Sequence, residues 1–169
     1  MISRRAFLRG RIRATETEPR PPWAVAEEVF VELCTRCDEC IRVCPQKVLE
    51  RGDGGFPRIS FAGGGCDFCG ECAQACEAGV LKRDEDSGTR PFPFVVAISD
   101  KCLNPKGVVC RACVDECEQR ALRYVPRLGG RAEISVNVQN CSGCGACLHK
   151  CPVSAIALAY EQTKPVEAD

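Results

Sequence analysis

Residues 141–152 read CSGCGACLHKCP, and the spacing of Cys141, Cys144, Cys147 and Cys151 decides what kind of fold the chain can adopt. Thiols at i, i+3 and i+6 sit on one short loop and can wrap a single body, while the fourth, at i+10, stands just beyond it. The same C-x2-C-x2-C-x3-C spacing recurs in CTRCDECIRVCP (Cys34, Cys37, Cys40, Cys44) and in CDFCGECAQACE (Cys66, Cys69, Cys72, Cys76). A further group, Cys102, Cys110, Cys113 and Cys117, keeps C-x2-C-x3-C but carries seven residues, LNPKGVV, between its first two thiols. All 16 cysteines fall into these four groups, so the arrangement is an internal repeat.

Composition narrows the chemistry. A chain of 169 residues fits one compact domain or two small ones. Its 23 basic and 23 acidic residues cancel, which leaves no global basic bias of the kind nucleic acid requires. Aromatics are only 6% of the chain, so an ordinary hydrophobic core is thin. Cysteine at this density points to a disulfide scaffold or to metal. The start, SRRAFLR (residues 3–9), has the look of a twin-arginine export signal. Five arginines in the first thirteen residues, with no apolar run after Leu8, deny it the h-region such a signal needs. No other stretch approaches a membrane-spanning length of apolar residues. The expectation is a cytoplasmic protein whose thiols stay reduced and serve as ligands, with residues 1–24 as a basic, disordered arm.

A [4Fe–4S] cube needs four thiolates at its corners, and one short loop can supply three of them. Structural zinc also accepts four thiolates, but its ligands usually come as two pairs some 15–20 residues apart, and disulfides do not suit a reducing compartment. The groups resemble the bacterial ferredoxin run, in which the fourth cysteine serves the other cluster of a pair. That resemblance implies four sets: Cys34, Cys37 and Cys40 with Cys76; Cys66, Cys69 and Cys72 with Cys44; Cys102, Cys110 and Cys113 with Cys151; and Cys141, Cys144 and Cys147 with Cys117. Cys-Pro at 44–45 and 151–152 follows the run, whereas Glu77 and Glu118 replace that proline elsewhere. The third group departs most. Its longer loop costs only about 1 kcal/mol in closure entropy, against roughly 10 kcal/mol or more from structural metal binding, so four clusters are expected.

The fold class that follows is α+β, as tandem bacterial-type 2[4Fe-4S] ferredoxin-like halves that are small, short-stranded and cluster-cored. Half 1 is expected over residues 25–81, a linker over 82–94, half 2 over 95–160 and a tail over 161–169. Halves this small are marginal without their metal. Each spacer between paired groups is expected to hold a short helix after the fourth cysteine and then a hairpin, turning at RGDGGFP (51–57) and at RLGG (127–130). Val29-Phe30-Val31 and Val95-Val96-Ala97-Ile98 read as the first strand of each half.

Nothing catalytic stands out. The one histidine, His149, lies between two cysteines as a supporting or surface residue. FAGGGC (61–66) lacks the frame of a phosphate-binding loop, and no nucleophile elbow or zincin signature occurs. The chain reads as an electron-transfer or accessory protein, not an enzyme.

The order SRRAFLRGR, RPPWA, CTRCDECIRVCP, GDGGFP, CDFCGECAQAC, GVVCRACVDECE and CSGCGACLHKCP resembles the NapF family of ferredoxin-type proteins from periplasmic nitrate reductase systems, over nearly the whole chain. The widened third group and Arg-Pro-Pro-Trp are the more specific parts of that likeness. The resemblance implies a cytoplasmic iron–sulfur protein that assists maturation of the nitrate reductase catalytic subunit NapA before export, by electron or cluster donation. The alternative is a dedicated electron-transfer ferredoxin, or a subunit of another oxidoreductase complex. Arg4, Arg5, Phe7 and Leu8 are then candidates to imitate the partner's own signal, and Trp23 is a candidate partner anchor.

Overall fold

The computed structural model describes residues 18–83 and 90–160. Within each half, two short helices and a hairpin surround the cysteine loops. The first half contains α1 (Glu27–Leu33), α2 (Glu39–Arg42), β1 (Leu49–Arg51), β2 (Pro57–Ile59) and α3 (Glu71–Gln74). The second contains β3 (Phe94–Ile98), α4 (Ala112–Asp115), β4 (Leu122–Pro126), β5 (Ala132–Val136), α5 (Ala146–Lys150) and β6 (Ile156–Tyr160). Three antiparallel two-stranded sheets result, β1–β2, β3–β6 and β4–β5.

The hairpins form where turn chemistry allows. Gly54 (φ 66°) and Gly55 (φ 78°) turn β1 into β2, and Gly129 (φ 74°) and Gly130 (φ 72°) turn β4 into β5, in a left-handed region that glycine enters without penalty. The short helices do not follow the fourth cysteine of each group, as the spacer lengths suggested. They lie between the second and fourth, in all four groups, because three-residue spacing between the third and fourth thiols is itself one helical turn.

Val29-Phe30-Val31 is not a strand. It lies in α1, where Glu27 and Glu28 occupy the first turn and favour the positive end of the helix dipole. Only Phe30 is buried there, at 0% exposure; a strand would instead have set Val29 and Val31 together against Phe30. The pairing that closes the first half lies upstream. The Val25 N–H donates to the Val80 carbonyl (3.0 Å), and the Lys82 N–H donates to the Trp23 carbonyl (2.9 Å). Residues 18–24, expected within the arm, are therefore packed: Pro21 and Pro22 are fully buried, and the Ile59 N–H donates to the Pro19 carbonyl.

Two hydrophobic cores share a border. Phe30, Phe56, Phe61 and Val80 centre the first; Val96, Ala121, Leu122 and Ile134 centre the second, and Leu148 packs against both. Phe92 and Phe94, each 1% exposed, stack at 4.7 Å between ring centroids and meet Phe61 edge-on. The chain expected as a linker thus ends inside the first core. Burying two phenylalanines is worth about 3–6 kcal/mol, which fastens the halves to each other.

Candidate metal centres

Three of the four cysteine groups are shaped by the same backbone device. In the first group Arg36 (φ 59°) and Asp38 (φ 64°) flank Cys37 in the left-handed region; in the second Phe68 (φ 58°) and Gly70 (φ 86°) flank Cys69; in the fourth Gly143 (φ 75°) and Gly145 (φ 78°) flank Cys144. Paired left-handed residues curl the loop so that its three thiols face inward. Three residues past each fourth cysteine the backbone turns left-handed again, at Lys47, Gly79, Arg120 and Ser154. Each of those four N–H groups donates to the carbonyl of its cysteine. Only one of the four is glycine, so pattern reading missed them. A non-glycine residue held there costs on the order of 1–3 kcal/mol and persists where surrounding structure enforces it.

The turned backbone also presents donors to sulfur. The Ala121 N–H points to Cys117 Sγ (3.2 Å) and the Ala155 N–H to Cys151 Sγ (3.1 Å).

The third loop follows a different design. Its seven residues form a 3-10 turn over Asn104–Lys106, ended by Gly107 at φ 83°. Asn104 is 2% exposed. Its Nδ2 donates to the Cys110 carbonyl (2.8 Å) while its Oδ1 accepts from the Cys110 N–H (3.0 Å), and Nδ2 also reaches Cys102 Sγ at 3.7 Å. One side chain thereby ties both sides of the loop together, as a strand partner would. In sequence it is only an Asn-Pro, an ordinary turn signal.

The sixteen cysteines are all free thiols, and they line four cavities. One is bordered by Cys34, Cys37, Cys40 and Cys76, another by Cys44, Cys66, Cys69 and Cys72. In the second half one is bordered by Cys102, Cys110, Cys113 and Cys151, another by Cys117, Cys141, Cys144 and Cys147. Every cavity takes three thiols from one group and the fourth from its neighbour. Burial is the main influence on the most enclosed of these thiols. It pushes Cys40, Cys72 and Cys147 up to about 12 and Cys66 and Cys113 to about 11. For Cys40 the next contributions come from cysteines of the same cavity, Cys34, Cys76 and Cys37. A neutral thiol is thus preferred until a cation draws off its proton, and a positively charged iron–sulfur body supplies that pull.

Each cavity offers four cysteines as its donor set, as a [4Fe–4S] cube requires.

The halves meet at two of these loops. The Cys66 N–H donates to the Cys144 carbonyl (2.8 Å). A Cβ on Gly65 would stand 2.8 Å from the Ala146 backbone nitrogen, and one on Gly145 would overlap the Phe61 ring. His149 Nδ1 lies 2.7 Å from the Ala62 carbonyl, so the histidine joins the seam between the halves. Trp23 packs on its own chain, edge-on to Phe68 at 6.3 Å with the Arg83 guanidinium over its ring. Arg4, Arg5, Phe7 and Leu8 lie outside the described residues. No helix among the described residues is long and apolar enough to cross a membrane.

Comparison with known proteins agrees with this architecture. The family described as 4Fe-4S dicluster domain matches twice, over residues 33–80 and 106–155. The chain is 43% identical over 158 residues to the ferredoxin-type protein NapF of Escherichia coli K12, covering 94% of each chain. It is 39% identical to the NapF of Haemophilus influenzae, covering 93% of each. A more distant relative is the methylamine utilization ferredoxin-type protein MauM of Methylorubrum extorquens, at 30% identity over 90% of this chain and 76% of the relative.

Proposed function

The chain belongs to the NapF family of ferredoxin-type iron–sulfur proteins, and from that membership we propose that it delivers electrons in the cytoplasm to the nitrate reductase catalytic subunit NapA during its maturation before export. The four crossed sets of cysteines hold four [4Fe–4S] clusters. When bound, these clusters supply one-electron transfer over a wide range of potential. The protein's own residues position and tune them. The left-handed turns aim the thiols inward, apolar walls exclude water, and the Ala121 and Ala155 N–H groups hold Cys117 Sγ and Cys151 Sγ in place by hydrogen bonds. The seam at Cys66 and Cys144 sets the second and fourth cysteine loops against each other, joining the two halves into one body.

Electron donation is preferred to cluster donation because of Asn104. A protein that gives up clusters needs a site that opens, and the widened third loop is the natural place for one. Instead Asn104 closes it with two bonds to Cys110. The same observation favours, as second reading, a dedicated electron carrier serving another oxidoreductase.

Mixing the anaerobically purified protein, loaded with isotopically marked iron, with NapA that lacks its cluster tests the role. Electron donation predicts that NapA is reduced while the marked iron stays in this chain. Marked iron appearing in NapA would replace electron donation by cluster donation. Failure to reduce or bind NapA in either form would leave the carrier reading for another enzyme in its place.

A further inference from the structure

The loop between Cys102 and Cys110 projects an apolar tip beside a cysteine cavity. We propose that this tip, Val108 and Val109 with Lys101, Lys106 and Arg111 on the same stretch of chain, is where NapA docks, through a protein surface that is apolar at its centre and acidic beside it. The inference rests on the proposed role with NapA and names the face that serves it.

Five residues more than the other groups use are not needed to hold a metal, since two residues suffice in each of the other three. What the extra length builds is a surface. Val108 is 52% and Val109 70% exposed, although branched apolar side chains are ordinarily buried. They are presented rigidly: the Val108 N–H donates to the Leu103 carbonyl (3.2 Å), and Asn104 grips the backbone of Cys110, the next residue after Val109. A tip ordered before the partner arrives loses little freedom on binding.

The charges around the tip define the partner. Lys101 and Lys106 are exposed, and neither has an ion pair among the described residues. Arg111 makes only a loose contact with Asp115, at 3.8 Å, and lies over the Tyr124 ring. Asp100 is the one carboxylate in residues 100–111, against three cations. An excess of exposed cations along a loop with an apolar tip steers an acidic surface and then buries the valines against it. Position completes the case. Cys102 and Cys110 border the cavity of the second half that takes no part in the seam, so a partner seated on Val109 comes within a residue of a cluster ligand.

The test uses full-length chain, purified anaerobically and retaining about sixteen irons, with the cluster-free NapA precursor of the same organism as probe. The double variant V108S/V109S is expected to weaken binding at least about tenfold, mostly through faster dissociation. K101E/K106E is expected to slow association about tenfold at low salt, a difference that fades as salt is raised. Val109→Ile, which keeps the apolar surface, should bind as the parent does. Unchanged affinity of both double variants, with a parent chain that binds, overturns the docking face alone. A parent chain that does not bind NapA overturns the docking face and the role with it. Val-dependent self-association, or Lys-dependent binding to vesicles of anionic lipid without NapA binding, would assign the tip to a second copy or to a membrane surface and likewise overturn it.

Discussion

Replacing Asn104 by alanine removes the one side chain that holds the widened loop shut. Two bonds to Cys110 are lost, and both the N–H and the carbonyl of that half-buried residue lose these partners. An unsatisfied buried polar group costs about 1–3 kcal/mol, so the pair comes to at most roughly 2–6 kcal/mol, nearer the lower figure at a half-buried residue. This exceeds the ~1 kcal/mol entropic cost of the longer loop, so the lock outweighs the penalty it offsets. If the lower figure acts wholly on cluster release, the third site loses its iron about 30-fold faster, while the other three are untouched. The assay is iron transfer to a chelator under anaerobic conditions, followed at visible wavelengths. The parent should release iron slowly from all sites; N104A should show a separate fast phase of about a quarter of the iron, four of sixteen atoms. Asn104→Asp, which keeps the acceptor but loses the amide donor, should fall between them. A single slow phase in N104A, with all four clusters retained, would refute the idea that Asn104 secures the third site.

Three further outcomes follow from the same structure. Gly145→Val places a branched side chain against the Phe61 ring at a backbone of φ 78°; it should lower the thermal midpoint by well over 5 °C, as expected for more than 2 kcal/mol, and reduce iron below that of the parent. Arg20→Ala removes a two-pronged bond to Glu27 (2.7 and 2.8 Å) and the guanidinium lying over Phe30 and Phe56. The side chain is only 13% exposed, so a loss of about 1–3 kcal/mol is expected in a denaturant titration, with clusters retained in dilute buffer. Acid should strip the clusters. Burial raises Cys66 and Cys113 to about 11 and Cys40, Cys72 and Cys147 to about 12 in the metal-free fold, so protons compete strongly with iron for these sulfurs. Cluster stability is then greatest at high pH and is lost as pH falls; bleaching that quickens steadily from pH 8 to pH 5 is the sign to look for.

Much of the site is written in the cysteines. Their spacing is a covalent constraint that leaves little room for tertiary override, and the hairpins at 51–57 and 127–130 follow from glycine chemistry alone. What could not be read depends on contacts between distant residues. Asn104 next to Pro105 is indistinguishable in sequence from any other turn residue, until Cys110 is brought back beside it. Lys47, Arg120 and Ser154 adopt a conformation that their side chains do not favour, imposed by the cysteine three positions earlier. Val29-Phe30-Val31 has high strand propensity, yet one buried position and two acidic residues in the first turn make it a helix. Phe92 and Phe94 sit among prolines and charges that suggest a tether, and only Phe61 across the seam shows that they are core.

The exchange of thiols between neighbouring loops has a consequence for how the protein is made. No cavity can gain its fourth wall until the partner loop has been synthesised. The first half has all its cysteines once Cys76 is made, whereas the second must wait for Cys151, roughly 75 residues later. At about 5–20 residues per second that is an interval of some 4–15 s. During that interval two sites are ready to accept iron and sulfide while the other two are still open. Loading is therefore expected to run in pairs from the N-terminus. A ribosome stalled between the halves would leave a two-cluster protein instead of a four-cluster protein evenly half filled.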